Sequence, residues 1–190
     1  TVKIDRTGSV LCITIDRPEV RNAIDRATSL ALAKAIDALD ADDGLSVGIL
    51  TGADGHFCTG MDLKAFLRGE RVELPGRGLA GLVQSPPRKP LIAAVEGYAL
   101  AGGCEIALAC DLIVASEVAQ FGIPEVKRGL AATAGGLFRL PRRVPRGLAL
   151  EWIATGDPLS AEQALAWGLV NQLVPSDQLM DRCLDIAGRI

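Results

Sequence analysis

Histidine occurs once in the 190 residues, at His56, and tyrosine once, at Tyr98. A Ser-His-Asp or Cys-His mechanism would have to use that one imidazole, and no Gly-x-Ser-x-Gly elbow accompanies it. His56 falls in a turn, where a surface or hydrogen-bonded structural role is expected. The five cysteines, Cys12, Cys58, Cys104, Cys110 and Cys183, are odd in number and widely spread, with no Cys-x-x-Cys pair and no His/Cys cluster. That spacing argues against a structural zinc or redox dithiol and for reduced core thiols in a cytoplasmic protein, and no metal is expected. A formal net charge of −3 lacks the concentrated basic face that nucleic acid or an anionic membrane requires. The start, Thr1-Val2-Lys3-Ile4-Asp5, has no charged leader before an apolar core, so no secretory signal is visible. Leu91 to Ala115 is long enough to span a bilayer but carries Glu96, Glu105, Asp111 and several glycines. It reads as buried strand, turn, helix and strand.

What is present fits one domain with a core of its own, since 49% of the residues are apolar. Val10 to Ile15 is β-branched and ends at Asp16-Arg17-Pro18, where proline stops a strand. From about Thr28, Leu30, Ala33, Ile36 and Leu39 recur at helical spacing up to Asp42-Asp43-Gly44, and Leu45 to Thr51 is the next strand. Phe57 to Lys64 reads as a strand end entering a helix, Arg68 to Gly81 as a mobile lid or a surface loop, and Leu91 to Val95 as a strand. Strands alternating with helices indicate an α/β domain. Helices are expected at Ala134 to Leu140, Arg146 to Thr155, Ser160 to Trp167 and Ser176 to Arg189, with a short strand near Val170 to Val174. Ser160 with Gln163 makes a capping box, and Ser176 is a plausible N-cap. The last helix has no closing turn, so an incomplete C-terminus is expected. Arg139, Arg142, Arg143 and Arg146, like Arg17, Arg21, Arg88 and Lys89, fit either a solvated face or contact with a ligand's phosphates.

Two glutamates carry the chemical signal. Glu105 follows Ala101-Gly102-Gly103-Cys104, and Glu125 follows Gln120-Phe121-Gly122-Ile123-Pro124, both in apolar surroundings where a carboxyl is costly unless partnered or used. Gly97 to Gly103 matches neither the Gly-x-Gly-x-x-Gly fingerprint nor a P-loop, and Glu105 would repel phosphate. Each glutamate alone could be a helix-start acid sitting favourably in the helix dipole. Their joint occurrence with two glycine turns, Thr59-Gly60-Met61-Asp62 and Ala101-Gly102-Gly103, suggests carboxylates and backbone N–H groups acting on a carbonyl compound.

At these residues the sequence resembles the crotonase superfamily, the enoyl-CoA hydratase/isomerase fold. The match runs from Asp16-Arg17-Pro18 and Arg21-Asn22-Ala23 through Leu50-Thr51-Gly52, Phe57 to Lys64, Lys89-Pro90 and Ala93 to Glu105. It continues at Cys110-Asp111, Ala119 to Glu125, Gly135-Gly136, Arg139-Leu140 and Ala164 to Val170. The resemblance implies a ββα spiral of two small, roughly perpendicular sheets wrapped by helices, with residues 1–140 as the core and residues 141–190 as a mainly helical extension. It implies a thioester carbonyl held by the amides of Met61 and Gly102, with coenzyme A as part of the substrate rather than a cofactor. The adenine end of CoA would lie along Arg21 to Ala23 and the loop of Thr59, Asp62, Leu63 and Lys64, largely through main-chain atoms. In the family's hydratases, the counterpart of Glu105 deprotonates a water and that of Glu125 protonates the α-carbon. Where many hydratases carry Pro-Gly this chain has Ala132-Thr133, and Thr133 falls where a glycine N–H often helps to hold the water. Other stretches resemble carnitinyl-CoA dehydratases. The expectation is therefore an enoyl-CoA hydratase of fatty-acid or related acyl-CoA metabolism. A dehydratase, an isomerase or an idle acyl-CoA binding protein are the alternatives, and assembly as a homotrimer or hexamer is implied.

Overall fold

The chain begins with a hairpin that the polar pattern of its first strand conceals. In a computed structural model describing all residues, Thr1–Ile190, β1 (Val2–Thr7) pairs antiparallel with β2 (Val10–Ile15), and Gly8, at φ +61°, makes the turn. Lys3, Asp5 and Arg6 leave this outer strand charged, which blunts an exposed sheet edge. The elements that follow are α1 (Arg26–Ala41), β3 (Val47–Gly52), α2 (Leu63–Leu67), β4 (Leu91–Val95) and β5 (Tyr98–Leu100). Then come α3 (Gly102–Ala109), β6 (Leu112–Ser116), β7 (Gln120–Gly122), α4 (Gly136–Arg143) and α5 (Arg146–Thr155). The chain closes with β8 (Leu159–Ser160), α6 (Ala161–Ala166), β9 (Gln172–Val174) and α7 (Leu179–Ala187).

Two sheets result, one of six strands in the order β1-β2-β3-β4-β6-β9 and one of three in the order β5-β7-β8. From β2 onward the larger sheet is parallel, and both of its faces are covered. Alternation along the strands decides which residue faces which layer. Leu11, Ile13, Ile15, Leu50, Ala93 and Val95 join Leu32, Ile36 and Leu39 of α1 in the main core. Val10, Val47, Ile49, Ile92 and Val114 face Leu179, Cys183 and Ala187 of α7 instead. A fully buried Leu or Ile contributes about 1.5–3 kcal/mol, so α7 is held by its apolar stripe although its start lacks a side-chain cap. This is the α/β architecture, two sheets wrapped by helices with a mainly helical C-terminal part, that the resemblance implies.

Several local expectations change. Ser176 opens a short 3-10 turn and caps nothing, and α7 closes at Gly188 rather than running to Arg189. Helix α4 continues past Leu140 through Pro141, because its last turn is anchored: Arg143 donates to the carbonyls of Leu108 and Cys110 at the end of α3. Arg139 likewise donates to the carbonyls of Ala134 and Val83. These two arginines are therefore neither a solvated face nor a phosphate contact; they tie carbonyl ends together. The Arg68 to Gly81 segment is docked rather than a free lid. Val72 and Leu74 enter the core, Arg77 pairs with Asp37 at 2.7 Å, and Gly81 lies so close to α1 that a Cβ there would meet the Ser29 carbonyl at 2.7 Å.

Candidate active site

The stretch Phe57 to Asp62 leaves β3 and is pinned on two sides. Phe57 and Cys58 donate to the carbonyls of Glu96 and Tyr98, and Leu100 donates back to Cys58 at 3.0 Å, an extension of the β5 edge. Further on, Ile24 donates to the Gly60 carbonyl and Asp62 to the Ile24 carbonyl, both at 2.8 Å. Successive peptide groups of extended chain point to opposite sides. With Gly60 C=O and Asp62 N–H turned toward Ile24, the Met61 N–H faces the other way and has no acceptor within the chain.

Across from it, Ala101 adopts φ +50°, ψ −126° at the start of α3, a costly conformation for a residue with a Cβ. Its own N–H is taken by the Gly122 carbonyl at 2.8 Å, while the next amide, Gly102, has no acceptor. A Cβ on Gly60 would lie 2.9 Å from the Gly102 nitrogen, and one on Gly102 3.7 Å from the Met61 nitrogen. The two uncommitted amides are thus neighbours, and glycine is what lets the backbones meet. Both line a cavity of about 260 Å³ together with Glu105 and Glu125.

Glu105 lies in the first turn of α3 and is 3% exposed. Its Oε1 accepts the Gly136 N–H at 2.9 Å from the start of α4. Burial pushes this carboxyl up to about 7, the Glu125 charge acts in the same direction, and the amides of Gly136 and Ala134 oppose them. Glu125 sits in the 3-10 turn Pro124–Arg128, and burial raises its pKa as well. Its Oε2 is buried with no hydrogen-bond partner. Two carboxyls held above the ordinary carboxylate range thus face one cavity, which is what a site that both takes and gives a proton needs.

Thr59, Leu63 and Thr133 also line this cavity. The Thr133 N–H, however, is already donated to the Ala131 carbonyl at 2.9 Å. The other residues expected around CoA stand elsewhere. Lys64 is exposed, Ala23 is buried, and Arg21 is exposed at φ +52° with its guanidinium 5.6 Å from the Tyr98 ring centre. Asp62 points its Oδ1 at the amides of Lys64 and Ala65, capping α2, and its Oδ2 at Arg17. Burial would raise its pKa, but those amides and the Arg17 guanidinium hold it below the ordinary carboxylate value. His56 is structural, as expected: it stacks on Tyr98 at 4.7 Å and its Nδ1 accepts the Tyr98 N–H. Sequence reasoning missed Leu79, Glu73 and Arg128 in the cavity wall. The alternation Arg71-Val72-Glu73-Leu74, with its apolar members buried, was the available signal for Glu73.

A carboxyl that keeps its proton above the usual range makes stability depend on pH. In the unfolded chain Glu105 loses its proton near 4.5, in the folded chain near 7. The folded state thus binds more protons between these values, so this contribution is complete below the lower one and lost as pH rises through the higher. The melting temperature is expected to fall between about pH 5 and pH 8, and to fall less in Glu105→Gln. Thermal unfolding followed by circular dichroism at a series of pH values checks it; equal slopes would place the group elsewhere.

Residues 5–190 match the family model described as enoyl-CoA hydratase/isomerase. The chain is 45% identical over 188 residues to a mevalonyl-coenzyme A hydratase of Aspergillus fumigatus, covering 97% of this chain and 70% of that protein. It is 43% identical over 195 residues to a carnitinyl-CoA dehydratase of Salmonella agona, covering 100% of this chain and 74% of that one. Among solved structures, an enoyl-CoA hydratase from Mycobacterium marinum superposes with a TM-score of 0.97 at 58% identity, over 99% of this chain and 74% of that one.

Proposed function

The chain belongs to the enoyl-CoA hydratase/isomerase family, and from that premise we propose that it adds water reversibly across the α,β double bond of 2-enoyl-CoA thioesters. The observation that carries the reading is the single cavity holding two uncommitted amides and two carboxyls of raised pKa. The thioester oxygen sits between the N–H groups of Met61 and Gly102. The reacting form carries the proton on Glu125 rather than on Glu105, the group held further above the ordinary carboxylate range. Ionised Glu105 then takes a proton from water as the water oxygen bonds to the β-carbon, and the electron pair of the double bond moves onto the thioester oxygen. The resulting enolate is stabilised by the two amides, each donor of this kind being worth about 10²–10³ in rate. Protonated Glu125 then delivers its proton to the α-carbon. The proton on Glu105 returns to Glu125 through solvent before the next turnover. No electron acceptor enters, because hydration changes no overall oxidation level, and coenzyme A is part of the substrate.

Beside the small cavity lies a larger hollow of about 840 Å³ that shares Met61 and Glu73 with it. Arg26, Glu70 and Arg71 also line it, which supports an acyl group carrying polar substituents as much as a plain alkyl tail. One observation favours a second reading, an acyl-CoA binder without turnover: the Thr133 amide is not free to hold a water. The test is loss of the enoyl absorbance of crotonyl-CoA, run beside calorimetry with butyryl-CoA and thioesters of hydroxylated acids. Turnover of crotonyl-CoA or of a hydroxylated enoyl thioester is expected. Binding of the saturated thioesters with no turnover of any enoyl thioester would select the binder.

A further inference from the structure

The Met61 amide can serve a developing oxyanion only if its direction is fixed, and one side chain grips both strands of the Ile24 bridge, one of the two contacts that fix it. Arg17, 13% exposed at its side chain, follows β2. Its Nη1 donates to the Ala23 carbonyl at 2.5 Å, and its Nη2 lies 3.1 Å from Asp25 Oδ2 and 3.0 Å from Asp62 Oδ2. Ala23 and Asp25 flank Ile24, and Asp62 follows Met61. Arg17 therefore spans the Ile24–Met61 bridge from both strands. Asp25 accepts the Thr28 N–H at 2.7 Å and caps α1, and Asp62 caps α2. One guanidinium thus holds two helix starts and the bridge between them.

We infer that Arg17 is a positioning residue for the candidate oxyanion site, acting with Asp25 and Asp62 to aim the Met61 N–H at the thioester oxygen. This rests on the reading of Met61 and Gly102 as carbonyl-binding amides. Asp62 and Ala23, expected beside CoA, are also the groups that the clamp holds. Sequence order hides the arrangement, because the three charged groups are separated by up to 45 residues and each looks like an ordinary loop charge.

The division of labour on Asp62 supplies the test. Asp62→Asn keeps an acceptor oxygen for the amides of Lys64 and Ala65 but turns an amide NH₂ toward Arg17, so the cap survives and the clamp does not. Arg17→Met removes the clamp outright, and should it fail to fold, Asp62→Asn carries the experiment. The probe is acetoacetyl-CoA, a 1,3-dicarbonyl thioester whose enolate absorbs in the near ultraviolet, with butyryl-CoA as the non-enolising control. In Asp62→Asn the affinity for acetoacetyl-CoA, and its enolate absorbance, are expected to drop about tenfold or more relative to butyryl-CoA. The kcat for crotonyl-CoA should fall by a similar factor with KM within about twofold. Parallel loss of affinity for both thioesters, or a lowered melting temperature with the enolate signal intact, would overturn the inference. If the wild type binds both thioesters and perturbs acetoacetyl-CoA but turns over no enoyl thioester, hydration fails and the clamp is still tested. If the wild type binds without any enolate signal, the amide pair and the clamp fall together.

Discussion

Replacing Glu125 by glutamine is expected to lower kcat for enoyl-CoA hydration by about 10²–10⁴, the usual worth of a positioned general acid. Glutamine keeps the size of the side chain and can still occupy the space of the unpartnered Oε2, but it has no proton of useful acidity for the α-carbon. Butyryl-CoA affinity should change little, because a saturated thioester asks nothing of that proton, and KM should follow it. Glu125→Asp is expected to recover part of the loss, since the carboxyl returns on a shorter stem. Stopped-flow and steady-state assays on these variants decide the point. Near-normal turnover by Glu125→Gln would remove this residue from the chemistry and leave the proton to Glu105.

The second large effect is expected from Gly103→Ala, one position beyond the Gly102 amide. A Cβ at residue 103 would stand 2.0 Å from the Cys58 carbonyl oxygen and 2.6 Å from its carbon, both backbone atoms. Neither can swing away as a side chain would. Relief requires separating α3 from the strip that carries Met61, and overpacking of this kind costs about 1–3 kcal/mol or more. For a chain of this size that is a fall in melting temperature of about 2–12 °C, and turnover should be lost before the fold is. Gly147→Ala is the control. That glycine lies in the first turn of α5 with nothing near its would-be Cβ, so alanine there should be neutral or stabilising. Differential scanning calorimetry with a parallel activity assay compares the two, and a Gly103→Ala protein as stable and active as the Gly147→Ala one would contradict the close approach.

Much of this was legible in the residue order. The α/β class followed from Val10 to Ile15, Leu45 to Thr51 and Leu91 to Val95 alternating with periodic segments, since a strand buried on both faces reads as an apolar run. The Ser160–Gln163 capping box is formed as its spacing promised. Glu105 and Glu125 stood out because carboxyls are expensive in apolar runs, and they do line one cavity. What the order concealed is of two kinds. Strand β1 alternates only over Val2-Lys3-Ile4-Asp5 before turning charged at Arg6, too short a pattern to mark a strand, and it owes its conformation to pairing with β2. The roles of Arg17, Asp62, Arg139 and Arg143 depend on carbonyls and carboxylates from distant segments, and a charged side chain looks the same whether it ends in water or on a buried acceptor.

The two amides of the candidate oxyanion site belong to different parts of the molecule: one is hung from the loop after β2 through Ile24, the other from the exit of β5 in the small sheet. The gap that would grip a substrate oxygen is thus a joint between two walls that share the β5 edge but are tied down at their far ends by different contacts. Its width is inherited from how those walls are seated, so drift in residues that never see the substrate can retune the grip, and relatives with identical glutamates need not share a rate.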